Sequence, residues 1–245
     1  MLHTIIHQQK LILEQLEEAL KEKGVSSITS KVVWKKHLDD AIEEEFKADE
    51  VDLVIKPSDH HFFAAALMRN PDEWRLIRLD QFPVYLLQVP IEVTTKVILA
   101  IDVSEESSSN GHNLSAITQA KSWCDATGSE LHLLNAFPSA ADLMAFAPAE
   151  WTVPQIQETL EKQHRERLES LANQAGVPVA QIHVGEGQVA QAAQQKAEEL
   201  GAGLLVITSR CRKGVPGFFI GNTAETFLEY TKMNVLVLKP QDEED

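Results

Sequence analysis

Short apolar runs rich in β-branched residues alternate with stretches of helical period along this 245-residue chain. The short runs are Val51–Lys56, Val84–Gln88, Thr95–Asp102, Glu130–Ala136, Gln181–Val184, Gly203–Thr208 and Met233–Leu238. Each is too short for a core helix and apolar enough to be buried on both faces, which is the pattern of strands in a parallel sheet. Between them, residues 5–23, 38–48, 114–127, 155–175 and 188–199 carry helical spacing, as do the runs around DEWRLIRL and NTAETFLEY. Gly24 and Gly176 stand where two of these helices should stop. Strands alternating with helical crossovers predict an α/β fold built as a doubly wound, parallel, five-stranded sheet.

The pattern repeats. Residues 51–90 read VDLVIK, a mixed stretch, a helical run and FPVYLLQVP, while residues 203–240 read GLLVIT, a loop, a helical run and MNVLVLKP. The two segments lie about 152 positions apart. The match extends upstream: Ser30–Trp34 before the acidic helix corresponds to Gln181–Val184 before the alanine-rich helix, and predicts a strand at 30–34. The second copy also has a full strand-helix-strand opening from Thr95, and the first copy lacks it. Residues 1–90 are therefore expected to be a truncated copy of the domain, 91–94 a linker, 95–240 the complete domain, and 241–245 an acidic tail. The shortened first half reads as a natural truncation, a mis-set start or an expressed fragment, and these stay open. In a doubly wound sheet the first strand is central, so its loss leaves edges that recruit other strands.

Charge and composition narrow the functional classes. The net charge is −15, with acidic residues dispersed over Asp39–Asp40, Glu43–Glu45 and the tail. Such a chain repels a phosphate backbone, so a nucleic-acid partner is disfavoured. No apolar run is long enough to span a bilayer, and the start, MLHTIIHQQK, has neither a basic flank nor a small-residue cleavage site. Cys124 and Cys211 are the only cysteines, which suits a reducing, cytoplasmic setting and gives no disulfide framework. A Gly-x-Ser-x-Gly elbow, a Walker loop and a His-Glu-x-x-His helix are all missing from the sequence, which argues against an enzyme.

The run VITSRCRKGVPGFFIGNTAETFLEYTKMNVLVLKP resembles the C-terminal signature of the universal stress protein family, and the whole chain resembles its tandem-domain E-type members without the first strand-helix-strand unit. The resemblance implies an adenine nucleotide alpha hydrolase-like fold. It also implies that the two halves pair antiparallel through their last strands, Val84–Gln88 against Val235–Leu238. In ATP-binding members an aspartate ending the first strand contacts adenine, and Asp102, followed by Val103, holds that place here. The family's Gly-x-x-Gly-x9-Gly phosphate loop falls on Thr208, Cys211 and Gly221, with Asn222 and Thr223 following. Only the last glycine is kept. Glycine allows close backbone approach to phosphate, and a β-branched threonine and a cysteine crowd it. The first half has no glycine between Lys56 and Arg69. No cofactor is expected there, and ATP is left to the C-terminal domain, bound weakly or not at all.

Other features carry weaker chemistry. Asn222 and Glu225 form a capping box at a helix start, and Arg210, Arg212 and Lys213 make a dense basic cluster beside it. Together they read either as an anion site or as a surface loop. Cys211 sits in that cluster, where positive charge would favour the thiolate and a redox role. The pairs His3/His7 and His60/His61 read as surface residues, and His132 and His183 as hydrogen-bonded sheet residues. The connector 138–154 carries Leu143, Met144, Phe146 and Trp151, and the matching stretch carries Phe62, Phe63, Leu67 and Met68. These read as core caps or as the lining of a cavity for an apolar ligand. The reading that combines these signals is a non-enzymatic, cytoplasmic stress protein that forms a homodimer. An ATP-binding sensor and an apolar-ligand carrier are its alternatives.

Overall fold

The computed structural model describes residues 2–35, 37–46, 51–57, 76–77, 81–90, 95–104, 110–148, 150–209, 231 and 233–239. The chain divides into two compact units, Met1–Glu50 and Val51–Asp245. The unit boundary thus falls ahead of the repeat boundary at 91–94, and the first repeat's last two strands lie in the larger unit.

The first unit holds helix α1, Leu2–Glu22, and helix α2, Leu38–Phe46. Lys35 pairs with Glu44 at 2.6 Å and Lys31 pairs with Glu45, which ties the segment before α2 to that helix. The strand predicted at 30–34 is absent: residues 25–35 carry no regular structure. A β-branched run becomes a strand only when a neighbour completes its ladder, and no described residue of this unit forms one.

The second unit is a single seven-stranded sheet with strands β1 (Val54–Pro57), β2 (Val84–Leu87), β3 (Lys96–Ala100), β4 (Glu130–Phe137), β5 (Ile182–Glu186), β6 (Leu204–Thr208) and β7 (Asn234–Leu238). Their spatial order is β1-β2-β7-β6-β3-β4-β5. Five of these strands make the doubly wound parallel sheet expected for 95–240. β1 and β2 of the truncated copy continue that sheet through the last-strand pairing expected of the two halves, giving one mixed sheet of seven strands. The join is antiparallel, Val84 facing Val237, Tyr85 facing Leu236 and Leu86 facing Val235. All other pairs are parallel. The order β1-β2-β7-β6 reads the same from either end, so the last two strands of each repeat meet about a local two-fold.

The reason for the join is on the strands themselves. Val84, Leu86, Val235, Leu236 and Val237 are fully buried, and apolar strands of this kind have no face to give to water. Polar groups then lock the seam. Asn234 Oδ1 accepts from the backbone N–H groups of Gln88 (2.9 Å) and Val89 (3.0 Å). With its amide nitrogen turned toward them, Gln88 donates to the carbonyls of Thr231 (3.0 Å) and Met233 (3.3 Å). Tyr85 stacks on Trp123 with ring centroids 5.7 Å apart.

Among the described residues of the C-terminal half, three helices cover this sheet: α3 (Asn110–Thr127), α5 (Val153–Ala175) and α6 (Val189–Leu200). Helices α3 and α5 pack together on one face, and α6 lies over β3, β4 and β5. α5 starts at a capping box, with the Thr152 N–H donating to Gln155 Oε1 at 2.9 Å, and buries Ile156, His164, Leu168, Leu171 and Ala172 along one stripe. α6 buries only alanines, Ala190, Ala193 and Ala197, which lets it sit close to the strands. α5 ends at Gly176 with φ +68°, and a Cβ there would stand 3.3 Å from Lys121 Nζ, which donates to the carbonyls of Ala175 and Gly176. Gly176→Ala should therefore lower stability by about 1–2 kcal/mol. Thermal melting of the two proteins checks this, and an unchanged midpoint would refute the left-handed cap.

Candidate functional site

In a doubly wound sheet, ligands bind outside the carboxyl ends of the strands where the order reverses. Here β3 stands between β4 and β6, so the reversal lies between β3 and β6. The residues leaving β3 are Ile101, Asp102, Val103 and Ser104, and those leaving β6 are Thr208 and Ser209.

Asp102 is exposed, while Ile101 and Val103 on either side are buried in the core. One chain alternation thus turns the carboxylate outward, and Asp102 Oδ1 accepts from the Ser104 N–H at 2.9 Å. Val103, the next residue of the expected site, packs its side chain in the core and leaves its backbone at the crevice. Thr208 ends β6 half-buried, and the next residue, Ser209, still donates its N–H to Leu238 at 3.2 Å. Lys239 Nζ donates to Ser209 Oγ and to the Ile77 carbonyl, each at 2.6 Å, which places a cation beneath the start of the loop. Arg210, Cys211, Arg212, Gly221, Asn222 and Thr223 lie outside the described residues, as do Lys213, Glu225 and the His60/His61 pair.

Behind Asp102 is a polar network that sequence reasoning missed. Asn135 Nδ2 donates to the Ile101 carbonyl at 2.8 Å, Asn113 Nδ2 to the Asp102 carbonyl at 3.1 Å, and an Arg167 guanidinium nitrogen to the Val103 carbonyl at 3.2 Å. His164 Nδ1 meets Asn135 Oδ1 at 2.7 Å, and its ring leans on Phe137 with centroids 5.8 Å apart. Because Asn135 spends its nitrogen on Ile101, its oxygen must accept, and His164 Nδ1 carries the hydrogen. Burial lowers the His164 pKa, Arg167 lowers it further, and Asp102 opposes both. The legible signal was a polar residue, Asn135, inside the apolar run of β4.

A second pair lies on β4 and β5. His132 Nδ1 and His183 Nε2 are 3.0 Å apart with the rings stacked at 5.2 Å, in keeping with the sheet role expected for them. Burial pushes the His183 pKa down to about 4, with Lys196 and His132 adding to it, and lowers His132 as well. Among the described residues no group of three or more metal-ligating side chains converges.

The connector after β4 forms helix α4 (Ala140–Leu143) and a 3₁₀ turn, Met144–Phe146. Glu186 Oε1 anchors its start by accepting from the Ala140 N–H at 3.1 Å. Phe146 is 87% exposed, and Met144 and Trp151 are exposed too, so these side chains point away from the interior. Of the residues read as core caps or as cavity lining, Leu143 is half-buried, while the tight turn carries Phe146 to solvent. Phe62, Phe63, Leu67 and Met68 lie outside the described residues. No described helix is long and apolar enough to cross a membrane.

Comparison with known proteins places this geometry. A profile described as the Universal stress protein family matches residues 94–239. Universal stress protein E of Salmonella typhi is 27% identical over 241 residues, covering 97% of this chain and 76% of that protein. Its Escherichia coli (strain K12) counterpart is 28% identical over 216 residues, covering 87% and 68%. A Pseudomonas aeruginosa crystal structure described as functionally unknown superposes with a TM-score of 0.73 at 29% identity, covering 94% of this chain and 78% of that one. A universal stress protein from Archaeoglobus fulgidus shares the fold, with a TM-score of 0.62 at 19% identity over 99% of this chain and 81% of its own.

Proposed function

The chain belongs to the universal stress protein family, and on that footing we propose that it is a cytosolic, non-enzymatic stress-tolerance protein whose nucleotide site is degenerate. The observation that carries this reading is the contrast across the crevice. On one side Asp102 stands exposed, held by Ser104, where an adenine amine would find its acceptor. On the other, β6 ends in the β-branched Thr208, half-buried where a glycine would let the backbone approach phosphate. The base side is kept and the phosphate side is crowded.

Calorimetry of the full chain with ATP and Mg²⁺ tests this. A dissociation constant of about 1 mM or weaker is expected, since the base contacts alone supply little binding energy. Micromolar binding that Asp102→Ala abolishes would instead install the ATP-sensor reading. Steady release of phosphate from ATP, lost in the same variant, would end the non-enzymatic one.

The homodimer inferred from sequence finds support in Leu11, Ile12 and Leu16, all exposed on α1. Sedimentation should show a concentration-dependent dimer, weakened when Leu16 is replaced by lysine. A monomer at every concentration would remove it.

A further inference from the structure

The exit of β3 is held in an unusual way. Where β6 leaves the sheet, the ladder simply continues, with the Ser209 N–H donating to Leu238. Where β3 leaves, three successive carbonyls, those of Ile101, Asp102 and Val103, each receive a side-chain donor from a different element. Asn135 comes from β4, Asn113 from α3 and Arg167 from α5, at sequence separations of 34, 11 and 64. An exposed turn needs no such arrangement, because water can satisfy carbonyls there. Protein donors do something water cannot: they fix the backbone dihedrals of the three residues and so the direction in which the Asp102 side chain leaves. The side chains of Ile101 and Val103 reinforce this by packing in the core. The carboxylate itself is steadied by the Ser104 N–H.

We propose that Asn113, Asn135 and Arg167 are positioning residues, a carbonyl grip that holds the Asp102 carboxylate ready to accept a hydrogen bond from the amine of an adenine-class ligand. The inference rests on the reading of Asp102 as the base contact and assigns it a supporting layer. His164 completes the grip by holding Asn135 through its oxygen, which commits the Asn135 nitrogen to Ile101. A preorganised acceptor avoids the ordering cost on binding, so loss of the grip weakens recognition without removing the acceptor.

The test uses the full chain as wild type, Arg167→Met and Arg167→Lys, with ATP–Mg²⁺ as probe. Arg167 lies on the partly exposed side of α5, so the methionine keeps the packing stem and loses the donor with its charge, which Arg167→Lys retains. The Ser104 amide reads the grip directly: its exchange should be about tenfold faster in Arg167→Met, the effect of losing one hydrogen bond from a charged donor. Arg167→Lys should restore it in part. The exchange of Leu205, deep in the sheet, should not change, which separates positioning from general destabilisation. NMR titration should show the ATP affinity lower by about three- to tenfold in Arg167→Met. Unchanged Ser104 exchange, or equal acceleration at Leu205, overturns the grip. Faster Ser104 exchange with undiminished ATP affinity overturns its positioning role. Selective acceleration at Ser104 with no ATP response in any of the three proteins upholds the grip and overturns the nucleotide reading of Asp102 instead.

Discussion

Asn234→Ala should lower stability by about 3 kcal/mol, more than any exposed substitution. Its Oδ1 is the acceptor for two backbone N–H groups, those of Gln88 and Val89, across the antiparallel seam. Asn234 and Gln88 are buried, so alanine strands donors where little water reaches them, and each costs about 1–3 kcal/mol. The effect should concentrate at the seam, where the Gln88 amide, donating to the Thr231 and Met233 carbonyls, is then left as the remaining side-chain lock described between the two strand ends. Denaturant unfolding checks the size. Asn234→Asp keeps the acceptor and should recover part of the loss. A midpoint within error of wild type for the alanine variant would show that β2 and β7 are held by their apolar faces alone.

Acidification should produce the next largest loss. His132 and His183 share a 3.0 Å contact in which one nitrogen must accept, so the pair is stable with that nitrogen bare. Burial lowers both pKa values, His183 to about 4. Around the pair stand Lys96 on β3, Glu130 on β4, Arg165 on α5, and Lys196 and Glu199 on α6. The cations oppose protonation, and Glu130 and Glu199 favour it. Unfolded histidine titrates near ~6.5, so below that pH the unfolded chain binds protons that the folded chain refuses. The stabilisation is therefore complete above pH ~6.5 and is lost progressively as pH falls toward about 4. His183 is only half-buried, and the discounted loss is about 1–2 kcal/mol between pH 7 and pH 5. Burial lowers His164 too, with the same sign. Urea midpoints measured across this range should fall, and His183→Gln should flatten the slope. An equally steep slope in that variant would assign the acid sensitivity elsewhere.

Much of the sheet was legible because its signal is local. The seven apolar runs from Val51 onward became the seven strands, and the antiparallel meeting of Val84–Leu86 with Val235–Val237 follows the resemblance to tandem-domain relatives. Local signals also misled. Ser30–Trp34 has the composition of a strand, yet strand formation depends on a partner that composition does not report. Phe146 and Trp151 look like lining residues, but which way a connector faces is decided by its turn. Of the grip on β3 only Asn135, a polar residue inside the apolar run of β4, left a trace in the sequence, for a third reason. Asn113, Asn135, His164 and Arg167 are ordinary polar residues until the fold brings them to three adjacent carbonyls, and nothing in their spacing encodes that meeting. Asp102 was singled out by the family pattern at a strand end, whereas the residues that steady it carry no such mark.

The seam also sets a schedule for synthesis. Gln88 and Asn234, which clasp each other across it, are 146 positions apart in the chain. At ribosomal speeds of about 5–20 residues per second, β1 and β2 emerge roughly 7–30 s before β7 exists. Two strands alone are marginal in water, so for that interval the apolar edge of β2 faces solvent unpaired. The nascent chain is thus most exposed to aggregation before its last strand is made, and a chaperone that shields Val84–Leu87 would matter during translation and be dispensable afterwards.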